Sequence, residues 1–440
     1  MAAFFAVILL VIVLIHYYLF KRLVLDTTRP GWARRVGTVI AAGLTLLVPA
    51  TLIGVRAGHV RWLAWPGYLW IALMFYLLIT LLVLEVPRLL VRLTRLRRGR
   101  AGDGAEVTPT GDAADLALQP AGAVPAGTSG ETPGATGDSP TRDSPTRDSA
   151  AATDATGATG AATDTPGGVD RRLVLARGAA IFAGLTAASV TGYGIRTATS
   201  APRIDRVRIP IAKLPRSMDG TRLAVVSDIH LGPLTGIGHA QRITRVINSV
   251  DADVVCVVGD LVDGTVAELG RLAEPLRGIE SRRGAYFVTG NHEYYSGFEP
   301  WIDEVTELGM RPLRNARVEI DGLDLAGVND LGGDQFGDPA DFGRALGDRD
   351  RSRPVVLMAH QPLAAKDAAP YGVDLQVSGH THGGQMAPFN LLVKLQQPVV
   401  SGFGRVDGVP VYVTNGAGFW GPPVRVGAPP QVTVVELRVA

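Results

Sequence analysis

Cysteine is all but missing: Cys256 stands alone among 440 residues, which excludes an intramolecular disulfide framework. Net charge is nearly missing too. Forty-three Lys and Arg face 41 Asp and Glu, leaving +2. So slight an excess makes no case for a nucleic-acid partner, and none is expected. Histidine is scarce, eight in all, so a place where histidines gather needs a reason. Three long runs near the N-terminus have almost no charge. A later stretch, residues 101–170, has almost nothing to bury.

The uncharged runs are Ala3–Phe20, Val36–Val55 and Gly67–Val86. Each approaches the ~20 apolar residues that cross a bilayer. A fourth, Leu173–Ile195, is richer in Ala, Gly and Thr, yet carries no charge between Arg177 and Arg196. A cleaved signal peptide is the other reading of the first run. Lys21 and Arg22 stand where a small-residue cleavage site would be expected. Flanking Lys and Arg set orientation. Lys21, Arg22, Arg29, Arg34 and Arg35 follow the first run. Only Arg56 and Arg61 follow the second, and Arg88, Arg92, Arg95, Arg97, Arg98 and Arg100 follow the third. The alternation places the N-terminus and the C-terminal half outside. Arg171 and Arg172 before the fourth run also resemble a twin-arginine export signal, which sends the same half outward. The expected organisation is a three-helix membrane region over 1–100, a linker over 101–170, a fourth helix or signal anchor over 171–202, and a catalytic domain over 203–440. The linker is Ala, Gly, Thr, Pro, Asp and Ser with a "DSPTRDSPTRDS" repeat. It is expected to be disordered, a spacer of ~45 Å mean span.

Beyond Arg203 the pattern changes to short apolar runs, each ending in a polar cluster. "TRLAVV" leads into Asp228 and His230, "DADVVCVV" into Asp260, and "GAYFVT" into Asn291, His292 and Glu293. "RPVVLMA" leads into His360, and "VDLQV" into His380 and His382. The runs read as buried strands, and Ala240–Val250 and Pro300–Leu308 have helical spacing. Periodicity alone suggests a doubly wound sheet, whose strand C-termini collect ligand sites. Five of the eight histidines lie at these ends. Carboxylates, imidazoles and an amide oxygen suit Mn, Fe or Zn. Eight such groups exceed one open site and suit two divalent ions about 3.5–4 Å apart.

"DIH", "GDLVD", "GNHE", "AH" and "GHTH", in that order, resemble the calcineurin-like metallophosphoesterase superfamily over about Arg222 to Glu436. "GHTHGGQ", "GNHEYY" and "NGAGFWGPPVRVGAPPQVTVVEL" look most like its membrane-associated bacterial branch, typified by YkuE and YaeI. The resemblance implies a four-layer α/β/β/α sandwich with mixed sheets. It implies that Asp228, His230 and His382 bind one metal, that Asn291, His360 and His380 bind a second, and that Asp260 bridges them. His292 then protonates the leaving oxygen or stabilises the phosphate, with Glu293 expected to orient it. The activity implied is metal-dependent phosphoester hydrolysis of a diester, monoester or pyrophosphate, by in-line attack of a metal-bridging hydroxide. A lipid-linked or envelope substrate fits an anchored enzyme. The expected location is a bacterial cell membrane, multi-pass, with the domain on the extracytoplasmic side. A soluble nucleotide or cyclic-nucleotide diesterase, and a non-catalytic scaffold of the same fold, are the alternatives.

Other residues carry weaker expectations. Asp263 reads as a solvated loop residue, and Asp330 and Asp334 as turn residues. One of Tyr294 and Tyr295 could line a pocket. Phe419 and Trp420 either pack or touch lipid. His16 reads as an interfacial anchor, and Cys256 as a buried strand residue.

Overall fold

The computed structural model describes residues 2–55, 60–102 and 170–440. Arg56, His59 and the expected linker between 103 and 169 lie outside the described residues. The chain divides into two compact units. One comprises Met1–Val86 with Arg171–Ala440 and the other Pro87–Asp170; the second contributes little more than a helix end to the described residues.

Four long helices form first: α1 (Ala2–Phe20), α2 (Trp32–Gly54), α3 (Ala64–Gly102) and α4 (Arg171–Thr199). All four are long and apolar enough to cross a membrane. Small residues bring them close: a Cβ at Gly67 of α3 would collide with Thr51 of α2. His16 differs from the anchor expected of it and is buried. Its Nδ1–H donates to the Ile12 carbonyl at 2.8 Å, and its Nε2 accepts from Trp70 Nε1–H at 3.1 Å. A neutral imidazole satisfies both bonds, so it fits an apolar bundle. At one end of the bundle Arg22 lies between Asp26 and Glu85, at 2.8 and 2.9 Å, and Arg177 donates to the Thr27 carbonyl at 3.0 Å. At the other end α4 leads into the first strand.

The remaining chain builds two six-stranded mixed sheets, as the resemblance implied and unlike a plain doubly wound sheet. The strands are β1 (Arg203–Ile211), β2 (Arg222–Val226), β3 (Val254–Val258), β4 (Ala285–Val288), β5 (Arg311–Pro312) and β6 (Ala316–Ile320). They continue with β7 (Leu323–Gly327), β8 (Val355–Met358), β9 (Leu375–Ser378), β10 (Gly402–Val406), β11 (Val409–Val413) and β12 (Gln431–Val439). One sheet runs β1-β12-β2-β3-β4-β5 and the other β10-β11-β9-β8-β7-β6. Strands β2 to β5 are parallel, as are β7, β8, β9 and β11. Their C-terminal ends are therefore gathered at one edge of each sheet.

Alternation along each strand makes the layers. In β3, Val254, Cys256 and Val258 pack between the sheets with Leu325, Val356, Met358 and Val377. Val255 and Val257 turn outward onto α5 (Ile237–Ser249), α6 (Val266–Ala273) and α8 (Phe298–Glu307), with α7 (Asn291–Tyr295) preceding α8. In the second sheet Leu357, Val411 and Val413 pack outward on α9 (Phe342–Leu346) and α10 (Ala365–Ala368). Each fully buried Val or Leu is worth roughly 1.5–3 kcal/mol, which fixes the register and hence the strand ends. Cys256 is one of these core residues, its thiol pushed up to about 12 by burial.

Candidate metal centre

Strands β2, β3 and β9 deliver their polar clusters through a reversal of the backbone. Asp228, His230, Asp260, His380 and His382 all have positive φ, between 49° and 69°. This left-handed region is unfavourable for side-chain-bearing residues. Such strain gathers at functional sites. The loops are also laced together. A bridge pairs Leu231 with Val262, and Asp263 N–H donates to the Leu231 carbonyl at 2.8 Å. Glycines allow the close approach: a Cβ at Gly379 would strike Ser227 and Asp228.

The geometry brings six of the seven expected ligands together in two groups. Among the described residues, ligand atoms of Asp228, His230 and His382 converge within 4.8 Å, as do those of Asp260, His360 and His380. His230 Nε2 and His382 Nε2 are 3.0 Å apart, and His382 Nε2 is 3.2 Å from Asp228 Oδ1. Asp260 Oδ2 lies 3.8 Å from His230 Nε2 and 3.1 Å from His360 Nε2, between the groups. Tautomers make this clustering informative. His230 donates Nδ1–H to Asp263 Oδ1 at 3.0 Å, and His360 donates Nδ1–H to the Val258 carbonyl at 2.8 Å. His230 Nε2 faces His382 Nε2 at 3.0 Å with Asp260 Oδ2 at 3.8 Å, and His360 Nε2 faces Asp260 Oδ2 at 3.1 Å, so imidazole nitrogens and carboxylate oxygens converge as the donors of a cation site do. Asn291 Oδ1 and His360 Nε2 are buried without a hydrogen-bond partner. The donor set thus fits divalent cations.

Electrostatics agree. Burial alone would raise Asp260, but His360 and His292 hold it well below the carboxylate range. Burial would lower His360, yet Asp260 lifts it well above its ordinary value. Burial raises Asp228. His380 falls to about 3, through burial and then His360. His382 is lowered by burial and then by Arg425.

His292 is the second residue of α7, with Nε2 4.0 Å from Asp260 Oδ2. Burial lowers it, but the Asp260 charge and the bond to Asp263 outweigh burial and raise it to about 9. The group that orients it is not Glu293. His292 Nδ1–H donates to Asp263 Oδ1 at 2.6 Å. Glu293 is buried behind the loop, accepting from the N–H groups of Gly290, Asp260 and Leu261 at 2.6, 2.9 and 2.7 Å. Its place as the third residue of α7 points its side chain back at the helix start. Asp263, expected in a solvated loop, instead joins His230 to His292.

Other expectations divide. Tyr294 is buried and donates to Asp338, whereas Tyr295 is exposed and its ring stands 5.6 Å from that of His292. Phe419 is buried against His239, while Trp420 is half exposed and edge-on to His292 at 5.8 Å. Asp330 is buried, accepting from Gln361 Nε2 at 3.0 Å; Asp334 is exposed. Arg425 escaped the sequence reading. It is fully buried, donating to the carbonyls of Gly418, His382, Asn415 and Ala428, with Nη2 3.0 Å from His382 Nδ1. A lone arginine in "GPPVRVGAPP" gives no signal of such burial.

Two mixed sheets with Asp and His clusters at their strand ends are the architecture of the metallophosphoesterase fold. The family model of the calcineurin-like phosphoesterases matches residues 221–384. The chain is 38% identical over 274 residues to "Transmembrane protein with metallophosphoesterase domain" of Danio rerio, covering 59% of this chain and 63% of that protein. That match spans less than two thirds of the relative's length. It is 33% identical to an "Uncharacterized metallophosphoesterase" of Aquifex aeolicus (strain VF5), covering 54% of this chain and 92% of that one. It is 27% identical to "Uncharacterized metallophosphoesterase YkuE" of Bacillus subtilis (strain 168), covering 59% and 95%. The chain belongs to the calcineurin-like metallophosphoesterases.

Proposed function

We propose that the chain is a membrane-anchored dimetal phosphoesterase, acting on a diester, monoester or pyrophosphate of a lipid-linked or envelope compound. The observation that carries this is the convergence of His and Asp ligand atoms in two buried groups on either side of Asp260. Asp228, His230 and His382 would hold one divalent ion, and Asn291, His360 and His380 the other, with Asp260 shared. Mn, Fe and Zn all suit these donors. Bound there, the ions supply Lewis-acid stabilisation of the phosphoryl oxygens. His292, whose Nδ1–H is held by Asp263, would donate its Nε2 proton to the leaving oxygen. Asp263 fixes the ring, and Glu293 holds the loop that presents Asp260.

The domain sits, in this proposal, on the extracytoplasmic side of a bacterial cell membrane. What supports this is that the basic loop with Lys21, Arg29, Arg34 and Arg35 lies at the end of the bundle near Arg177, whereas the domain leaves α4 at the opposite end. Basic flanks favour the cytoplasm.

The full chain in detergent, loaded with Mn²⁺, is expected to hydrolyse bis-p-nitrophenyl phosphate. His292→Ala should keep its metal and lose ~10²–10⁴-fold in rate. Asp260→Asn should lose metal as well. A metal-loaded wild type as inert as both variants would sink the reading.

A further inference from the structure

The loop carrying His380 and His382 runs directly into an apolar segment that the domain leaves uncovered. From Pro388 the chain reads "PFNLLVKLQQP", with a short helix, α11, at Asn390–Val393. Phe389, Leu391, Leu392 and Leu395 are exposed, Leu395 at 84%. So dense a group of exposed large apolar side chains marks an interaction surface.

Its surroundings indicate what covers it. Met386, at its root, is buried in the same cluster as Leu19, Val48, Ala72 and Ala183 of the four-helix bundle. Ala387 N–H donates to the Val426 carbonyl at 2.9 Å, and Arg425 N–H to Gly194 of α4 at 2.9 Å. Trp62 and Trp65, both exposed, stand at the entry to α3, the aromatic signature of a membrane interface. Gly421, beside Trp420, approaches Tyr68 of α3. Gln385 Nε2 donates to the Trp420 carbonyl at 2.8 Å. The wall of the metal centre, the apolar segment and the bundle therefore form one continuous surface.

We propose that Phe389–Leu395 and Trp420 insert into the leaflet beside the bundle, and that this contact presents lipid-borne phosphoesters to the metal centre. The second clause rests on the phosphoesterase reading above; the first does not. The four apolar side chains enter the acyl boundary, and Lys394 extends its ammonium back to the headgroups. Trp420, next to His292, then lies at headgroup level, where a lipid phosphoester sits. A freely soluble substrate would gain nothing from this contact.

Cys256 is the single cysteine and is buried, so introduced cysteines can be labelled alone. The full chain would be reconstituted in phosphatidylcholine/phosphatidylglycerol vesicles with a nitrobenzoxadiazole label at Leu395→Cys. The control is Arg344→Cys on α9, which packs on β6, the edge of the second sheet opposite β10. Doxyl lipids should quench the label at 395 strongly and that at 344 little. Equal quenching overturns insertion. Hydrolysis of phosphatidyl-p-nitrophenol in the vesicles would be compared with that of bis-p-nitrophenyl phosphate. Leu391→Asp/Leu395→Asp should lose ~10-fold or more on the lipid and stay unchanged on the soluble diester. Equal losses, or none on the lipid, overturn lipid presentation. A wild type inert on both overturns the phosphoesterase reading itself, and the substrate clause with it.

Discussion

Asp263 shows how far one residue escapes a single sequence. It follows Asp260 by three in a loop, and that spacing has no meaning without the fold. It matters because the loops after β2 and β3 extend their strand pairing through Leu231 and Val262, which carries Asp263 beside His230. One oxygen then accepts from both His230 and His292, at 3.0 and 2.6 Å. Glu293 misled for the same reason: adjacency in sequence suggested a partner for His292, but the first turn of α7 sends its carboxylate toward backbone N–H groups. The candidate ligands were legible as a group because each follows an apolar run. Asp263→Asn keeps the size and removes the charge that secures both Nδ1–H donors. It should lower metal affinity and kcat/KM by ~10–100-fold, read by metal titration and by diester hydrolysis. Unchanged values on both would make Asp263 a bystander.

At the scale of elements, five strands were legible from their runs, and the helices near 240–250 and 300–308 from their spacing. They prove to be Ile237–Ser249 and Phe298–Glu307, each beginning a few residues earlier than the apolar pattern does. Which sheet a strand joins was not legible, since β3 and β8 are equally rich in valine and their neighbours are chosen by tertiary packing. The hairpins β6–β7 and β10–β11 went unread, although both turn on Asp-Gly, at Asp321-Gly322 and Asp407-Gly408, the strongest local hairpin signal. Helix α5 adds a pH dependence. His239, in its first turn, donates Nε2–H to the Ile229 carbonyl at 3.0 Å, and burial lowers it to about 4. A histidine lowered on folding contributes stability that is complete above its unfolded value of about 6.5 and is lost as pH falls toward 4. The loss amounts to roughly 3 kcal/mol. His239→Gln retains a donor without the titration, so denaturant unfolding of the full chain in detergent should weaken less between pH 7 and pH 4 in the variant. Parallel pH slopes would exclude His239 as their source.

Across the whole molecule, the membrane bundle and the metal centre share a strut. Arg425 holds α4 through its backbone N–H and cradles His382 through its guanidinium. Burial lowers this guanidinium only to about 10, so it stays charged, compensated by four carbonyls. Four apolar runs and a ligand-rich domain were each legible in the sequence. Their attachment was not, because it depends on a glycine and a lone arginine more than two hundred residues apart. Gly194 makes the attachment testable. A Cβ there would lie 2.4 Å from Val424 Cγ1 and 3.0 Å from Val426 Cγ2, whereas Gly192 on the same helix has nothing within 4 Å. Gly194→Leu must therefore push the 424–426 loop off α4 and shift the donors behind His382, while Gly192→Leu adds the same bulk without contact. Metal affinity of the full chain, measured by titration, should fall ~10-fold for Gly194→Leu, the size expected when support behind a ligand is lost, and remain unchanged for Gly192→Leu. Equal affinities in the two variants would mean that the helix anchors the domain without tuning its site.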